Sequence, residues 1–596
     1  MRPAWSHSRA LRRGRPQWLF HHTALASSTR SFTAAVVGGG ITGLTAAYHL
    51  SQDRKCEKVT LFERSDSLGG WLQSERVSVA DGDVVFEYGP RTLRASVPDC
   101  VPLLDLIHQL GLQDEVLTTG KNTPAATNRF IYYPDHLVRL PGRIPGAGIF
   151  NEILYNAKSL MEPLFQGSLS AVLWEHTKPI RPRTSFEDPD ESITQFLSRR
   201  FSPQLADNLA SAVFHGIYAG CIDRLSAEAV LGPLRALEAD EKYGGIGVLR
   251  TMLKMANENK SLITLDKVLA THLIALTRPD GYLTHLRQFA KGVSVFTLTN
   301  GVGQLTDALV AALEESPKAS VVTGAEVKAI GRTPGSSDLT ITCAGEKPTV
   351  FNRVIATNSA PSLATQLEMG AKAGGQRPQK SIGYLKKHDY AVTVMVVNLY
   401  YDQPDLVPVN GFGYLIPRSI PYEQNPERAL GVIFGSDSSA GQDTAPGTKL
   451  TVMMGGHWWD GWQDSDYPDH DSAVQMARSL LERHLGITDA PAVARSRLQK
   501  NAIPQYTVGH LERLQNLSQS LRDEFNKRLT IAGSWYGGVG VTDCVQQAYL
   551  ASLLGVGSTK IAASSIPGWE GPMQRLDMEG GFATSPIRWY NGVVNR

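Results

Sequence analysis

From Phe32 the chain reads FTAAVV, then GGGITG, then LTAAYHL. A short uncharged run of small and β-branched residues that ends in glycines predicts a buried strand from Thr33 to Val37. The apolar spacing after the glycines predicts a helix. KVTLFE repeats the strand pattern from Val59 to Phe62 and ends on Glu63. VPDCVPLLDLIHQLGL carries apolar residues at helical spacing, and DESITQFLSRRFSPQLADNLASAVFHGIYAG predicts two helices broken at Pro203. Residues 236–290 mix helical periodicity with Gly-rich and polar patches, the pattern of an insertion.

From TNGVGQLTDALVAALEES the order of turn, helix and strand returns, with β segments at Val321–Val322 and from Glu326 to Ile330. YAVTVMVVNLYY, ALGVIFGS and KLTVMMGGHWW then predict a mixed sheet apart from the first unit. RLTIAGSWYGGVGVTDCVQQAYLASLLG is again a strand, a glycine turn and a helix. The tail from Ile566 is rich in Gly and Pro and receives no role. One stretch, IPGAGIFNEILYNAKSLMEPLFQGSLSAVLWEH, holds many large apolar residues and few charges, and on its residues alone it predicts a buried helix pair. Nowhere does an apolar window reach the roughly 18 residues of a membrane span.

Length and charge narrow this picture. A chain of 596 residues predicts more than one domain. Its net charge of +2 is uneven: the first 33 residues hold six arginines and no acidic residue, and the first acidic residue is Asp53. That leader has the composition of a mitochondrial transit peptide and lacks the apolar core of a secretory signal. The remaining chain is slightly acidic, with no basic stripe to neutralise phosphates, so nucleic acid is not expected as a partner. Five cysteines, Cys56, Cys100, Cys221, Cys343 and Cys544, are far apart and odd in number, which predicts neither a disulfide framework nor a zinc site.

Gly38-x-Gly40-x-x-Gly43 sits between a predicted strand and helix, the context in which such glycines bind a dinucleotide diphosphate. Glu63 follows Gly43 by 20 residues, the spacing at which an acidic residue reaches ribose hydroxyls. The second glycine turn comes more than 480 residues later. A NAD domain completes itself in one block, whereas here the end of the chain returns to the first strand. Neither a side-chain nucleophile motif nor a metal motif is visible, so a cofactor is expected to carry the chemistry.

This order resembles the flavin-containing amine oxidase superfamily, in which FAD lies extended through a discontinuous domain. ERSDSLGGWLQS, FEYGPRTLR, NRFIYYP, NGFGYLIP, TVMMGGHW and IPQYTVGHLERL are similar to the protoporphyrinogen oxidase family, mitochondrial eukaryotic type, from about Ala34 to Gly555. The resemblance implies an α/β fold: a Rossmann-like FAD-binding domain (34–97, 225–357 and 520–565), a mixed-sheet substrate domain (98–129 and 358–519) and a helical membrane-associated domain (130–224). A presequence (1–33) and a tail (566–596) complete the chain. FAD contacts then fall on Gly38, Gly39, Gly40, Ile41, Thr42, Gly43, Glu63, Arg64, Trp71, Gly89, Pro90, Arg91 and Thr92. Val327 is implied as the backbone partner of the adenine, with Ser534, Val539, Gly540 and Val541 at the flavin end. Trp535 and Gly537-Gly538 depart from the family pattern there.

The implied activity is FAD-dependent oxidation of protoporphyrinogen IX by dioxygen to protoporphyrin IX and hydrogen peroxide. Such a substrate is apolar on its faces and carries two propionates, so it needs apolar walls and one or two fixed cations. By the resemblance, Arg129 binds a propionate, and Phe412, Gly413, Leu415, Ile433 and Met453 line the cavity. A glycine inside a strand, as at Gly413, often marks close approach of a ligand. No catalytic residue and no metal ligand is implied. Partners would be the porphyrinogen, dioxygen, the mitochondrial inner-membrane surface facing the intermembrane space, ferrochelatase and a second copy of the chain. Two alternatives share the scaffold: an amine oxidase or carotenoid desaturase, and a flavin-free binding protein of the GDP-dissociation-inhibitor type.

Overall fold

Five short strands lie parallel in the order Ala319–Val322, Cys56–Phe62, Phe32–Val37, Arg353–Ala356 and Leu529–Ile531. Four of the five are almost wholly buried, the form a parallel sheet takes when both its faces are covered. Only the edge strand Ala319–Val322 is half-buried. Three distant pieces of chain thus meet in one sheet, as the paired glycine turns predict. In this computed structural model the described residues are 31–144, 146–181, 189–238, 247–257, 260–263, 265–372 and 377–554, with short strands at Lys560–Ile561, Leu576–Asp577 and Gly592–Asn595. The leader before Ser31 and most of the tail lie outside them.

One face of the sheet packs under helices Ile41–Gln52, Gly303–Glu314 and Val541–Leu554, and the other under Ala360–Lys372 and His510–Glu524. Arg353 locks the last helix in place. Its guanidinium is buried and donates to the carbonyls of Ala551 and, at 2.9 Å, Ser552. A cation on the open carbonyls of a helix C-terminus also meets the negative end of its dipole.

A seven-stranded sheet forms a second unit, in the order Val493–Pro504, Ala391–Tyr401, Thr448–Gly455, Ala429–Phe434, Gly413–Leu415, Phe130–Tyr132 and Leu137–Arg139. Gly413–Leu415 and Phe130–Tyr132 run parallel and the other neighbours antiparallel, so the sheet is mixed as expected. Met395, Val397, Leu399, Val432, Val452 and Met454 bury one face against helix His470–Leu485. That helix starts at Asp469, whose carboxylate accepts the Ser472 N–H at 2.9 Å, and stops at left-handed Gly486.

The helical unit gathers Ile193–Arg200, Ser211–Tyr218, Ala227–Glu238 and Val248–Asn257 around Ile193, Phe196 and Leu237. Three buried carboxylates hold it together: Glu175 pairs with Arg200, Glu238 with Arg235 and with Arg199 at 2.5 Å, and Glu191 with Arg199 at 2.6 Å.

Several expected boundaries move. Val101–Gln109 belongs to the first core, where Leu103, Leu104, Leu106 and Ile107 are fully buried, and not to the substrate unit. Each such side chain contributes about 1.5–3 kcal/mol, which outweighs its nearness in sequence to Arg129. Phe130–Arg139 supplies two strands to the seven-stranded sheet and so leaves the helical unit. Residues 225–238 and 248–249 go the other way, into the helical cluster. Ala360–Lys372 and residues 510–519 join the FAD-domain core and not the substrate sheet. The expected insertion is no appendage, because Leu269, Ile274 and Leu286 are core residues of the first unit. Finally, the expected buried helix pair is not buried: Phe150 is 77% exposed and Met161 85%.

Candidate active site

The glycine turn is shaped by two different demands. Gly38 adopts φ +109° and donates its N–H to Phe62 O at 2.8 Å. A Cβ on Gly43 would overlap the Gly38 carbonyl, so Gly43 is dictated by helix-to-turn packing. A Cβ on Gly40 would meet nothing nearer than Gly70 Cα at 4.0 Å. Gly40 therefore leaves room for an approaching group. Helix Ile41–Gln52 begins there with no side-chain cap and no acidic residue in its first turn, which leaves N–H groups and the positive dipole end available to an anion. Ile41, Thr42 and Gly43 are buried.

Around this turn the other expected segments converge. The Glu63 carboxylate accepts from Gly39 N–H at 2.6 Å and from Ser65 N–H at 2.9 Å. Gly69 N–H donates to Gly39 O at 2.9 Å. Gly533 abuts Thr42, which brings the C-terminal turn onto the first helix. Arg64 is exposed, and Trp71 is 41% exposed beside Gly89, whose Cβ would overlap the Trp71 carbonyl. Pro90 and Thr92 flank Arg91 on the same segment. Arg91 is buried, and its Nη2 has no partner among the described residues. Burial lowers its pKa to about 10, against the pull of Glu87.

Val327 lies on the three-stranded sheet with Leu339–Cys343 and Thr349–Phe351, two residues beyond Ala325, whose N–H donates to Glu63 O at 2.8 Å. Its carbonyl accepts from Gln366 Nε2 at 3.0 Å, and Gln366 Oε1 accepts from Asn358 at 3.0 Å. At the far end, Tyr506 fastens the last turn: its hydroxyl donates to Ser534 O at 2.6 Å and accepts Gly538 N–H at 2.7 Å. Gly540 O accepts the Cys544 N–H, and Val541, buried, opens the last helix beside Val539.

The face of the seven-stranded sheet opposite its buried core meets the Glu87–Arg91 segment on one side and helix Ser211–Tyr218 on the other, where Leu415 packs against Gly216. Asn398 Nδ2 donates to Glu87 O at 3.0 Å, Gln499 Nε2 to Tyr88 O at 2.9 Å, and Lys449 Nζ to Val85 O at 2.9 Å. Strand register pairs Gly413 with Ile433, Leu415 with Gly431, and Gly431 with Met453. Gly413, Leu415, Ile433 and Met453 consequently share that face, opposite the buried core. Gly413 has φ +139°, and a Cβ there would overlap Val432 O. Its neighbouring strand is by itself sufficient reason for the glycine. Arg129 lies over the Phe412 ring at 4.6 Å, with Phe412 N–H bonded to Asn128 O at 3.2 Å.

The Flavin containing amine oxidoreductase family model matches residues 41–552. Protoporphyrinogen oxidase of Schizosaccharomyces pombe is 32% identical over 87% of this chain and 99% of its own length. The Homo sapiens protoporphyrinogen oxidase is 30% identical over 88% and 98%. A solved structure titled putative protoporphyrinogen oxidase, from Exiguobacterium, superposes with a TM-score of 0.63 at 21% identity, over 88% of this chain and 98% of that one, which shows the fold. The chain belongs to the protoporphyrinogen oxidase family of flavin-containing amine oxidoreductases.

As a member of this family the chain takes FAD as its cofactor, and its residues fit that group. An uncapped helix N-terminus, the gap at Gly40 and an unpaired N–H of buried Arg91 together form a donor set for a dianionic dinucleotide. Glu63, expected at the ribose, closes on the same turn through Gly39. Sequence reasoning missed Asn398, Gln499, Lys449 and Tyr506, which clamp the cofactor segments. Single polar residues inside otherwise apolar strands were the available signal for Asn398 and Lys449. Also missed was a histidine pair, buried His215 Nε2 to half-buried His457 Nε2 at 2.8 Å, whose outer ring nitrogen, His215 Nδ1, donates to Ile416 O at 2.7 Å.

Proposed function

We propose that this protein oxidises protoporphyrinogen IX to protoporphyrin IX, the penultimate step of haem biosynthesis, with dioxygen as final acceptor and hydrogen peroxide as product. One observation carries the reading: the sheet face bearing Leu415, Ile433 and Met453 is clamped onto the segment that bears Arg91, so an apolar wall adjoins the cofactor site. Bound FAD supplies the hydride acceptor. The protein's own residues then have three tasks. Leu415, Ile433, Met453 and Phe412 offer apolar contact to the macrocycle. Arg129 offers a planar fork to a propionate, fixing the orientation of the substrate. The docked sheet excludes water between them. Six electrons leave the substrate in three two-electron removals, each balanced by reduction of one dioxygen to peroxide.

Location belongs to the same proposal. An arginine-rich, acid-free leader supports mitochondrial import. Exposed Phe150, Ile153, Leu154, Met161, Leu173 and Trp174 support peripheral contact with the inner membrane facing the intermembrane space. No helix among the described residues is long and apolar enough to cross a membrane. A second copy of the chain and ferrochelatase complete the proposed partners, to be checked by sedimentation and co-purification. The deciding assay counts peroxide released per porphyrin formed: about three supports dioxygen as acceptor. Porphyrin formation without peroxide, dependent on added quinone, overturns it.

A further inference from the structure

Two neighbouring arginines beside the substrate sheet have no carboxylate partner among the described residues. Arg129, half-buried, precedes strand Phe130–Tyr132 and stacks on Phe412. Arg94, exposed, ends the strand Leu93–Arg94, two residues beyond the cofactor segment Gly89–Thr92. Alternation along that strand buries Leu93 in the first core and turns Arg94 away from it. The connection from Arg94 to the substrate sheet is continuous. Arg94 pairs with Val295, and Val295 with Thr119 on the next strand. Thr119 Oγ1 donates to Ser438 O at 3.4 Å, just beyond Ile433–Phe434.

Among the described residues neither guanidinium has a hydrogen bond or a carboxylate partner. Their charges nonetheless act on each other: burial and the neighbouring Arg94 both lower the pKa of Arg129. Two like charges at one site, one of them partly desolvated, are unfavourable unless an anion joins them. Nothing in the packing explains the arrangement. A flat substrate with two carboxylates does.

We propose that Arg94 is a second carboxylate-binding residue, so that Arg94 and Arg129 each hold one of the two propionates of a single porphyrinogen. This rests on the reading of the substrate given above. A substrate held at two carboxylates cannot rotate within the plane of the macrocycle, so the pair sets which carbon faces the cofactor. A single clamp would leave that rotation open.

The test uses the FAD-loaded full chain with Arg94→Met, Arg94→Lys, Arg129→Met and the double methionine variant. Each is assayed on the free diacid and on the dimethyl ester, and titrated with the product porphyrin by fluorescence. Loss of one charged hydrogen-bonding partner should raise KM for the diacid, and weaken product binding, by about 10- to 100-fold, with flavin content unchanged. Arg94→Lys should recover part of it. On the ester, parent and variant should coincide. In the double variant the two losses should multiply, because separate carboxylates are involved. An active parent whose diacid KM is unmoved by Arg94→Met, or whose ester KM rises equally, overturns this inference alone. A parent that does not oxidise the diacid overturns the functional reading with it.

Discussion

The carboxylate of Glu63 accepts the N–H of Gly39 at 2.6 Å, so the end of the second strand holds the middle of the glycine turn. One residue thus shapes the turn, and by the expected role its carboxylate would also take the ribose hydroxyls. Glu63→Ala should weaken FAD binding by about 10- to 100-fold, the loss of a charge-assisted hydrogen bond worth roughly 1.5–3 kcal/mol. Dialysis followed by the flavin absorbance of the retained protein measures this. Retention equal to the parent's would remove Glu63 from the cofactor site.

Gly40 and Gly43 should fail differently. At Gly40 the nearest atom to an added Cβ is 4.0 Å away, whereas at Gly43 the added atom would overlap the Gly38 carbonyl. Gly40→Ala should therefore fold and lose FAD, since its methyl occupies the gap left for the diphosphate. Gly43→Ala should lower the melting temperature of the apoprotein as well, because helix and strand must separate. A stable Gly43→Ala apoprotein would contradict the packing reading.

The histidine pair predicts an acid limit to stability. His215 donates from Nδ1 to Ile416 O, so its Nε2 accepts and His457 donates, an assignment made from the hydrogen-bond network. Burial lowers the two pKa values to about 4 and about 3, and Arg418 adds to both. Because these folded values lie below the ordinary value near 6.5, the unfolded chain takes up the protons first as pH falls. Stability should drop from about pH 6.5 downward, by roughly 2 kcal/mol per ring between about pH 7 and pH 5, and level off below about pH 4 for His215 and about pH 3 for His457. His457→Gln keeps a donor toward His215 and should flatten that limb in thermal melts. An unchanged slope would show that other groups set it.

Arg129 should act on substrate and not on cofactor. Its guanidinium lies over the Phe412 ring, with Arg94 as a neighbouring charge. Arg129→Ala should raise KM for the free-acid porphyrinogen by one to two orders of magnitude, from roughly 1.5–3 kcal/mol of charged hydrogen bonding. Flavin absorbance should match the parent's. A parallel loss of flavin would mean that Arg129 supports the fold.

Much of this architecture was legible in the sequence, for identifiable reasons. Strands such as AAVV and VTLF are buried on both faces, so an unbroken apolar run marks them, and glycines mark the turns. Glu63 was found because its distance from Gly43 reflects the length of one helix and one strand. What stayed hidden depends on tertiary contact. Nothing local shows that Leu103 and Ile107 serve the first core, or that Phe130 begins a strand of a sheet completed nearly 400 residues later. Gly413 misled for a related reason. Close approach was correctly inferred from a glycine in a strand, but a sheet neighbour is as good a cause as a ligand. The apolar helices were misread because period and composition do not say whether the covering surface is protein or lipid.

Those helices carry the last prediction. Phe150, Ile153 and Leu154 stand at positions i, i+3 and i+4 of helix Ile149–Leu160, which puts them on one face, and all three are more than half exposed. Leu173 and Trp174 add a second exposed apolar pair at the end of helix Ser168–Trp174. Water gains nothing from this surface, whereas transfer of each large side chain into an apolar phase returns roughly 1.5–3 kcal/mol. Contact with a bilayer should follow without any spanning segment, and a porphyrinogen dissolved in that bilayer would be close at hand. The triple variant Phe150→Ser, Leu154→Ser, Trp174→Ser should lose at least about 100-fold in affinity for neutral phosphatidylcholine vesicles, judged by co-sedimentation. Its flavin content and its activity in detergent should equal the parent's, because all three side chains are more than half exposed. Vesicle binding that survives all three changes, or is abolished by salt alone, would mean that charge and not this apolar face brings the protein to the membrane.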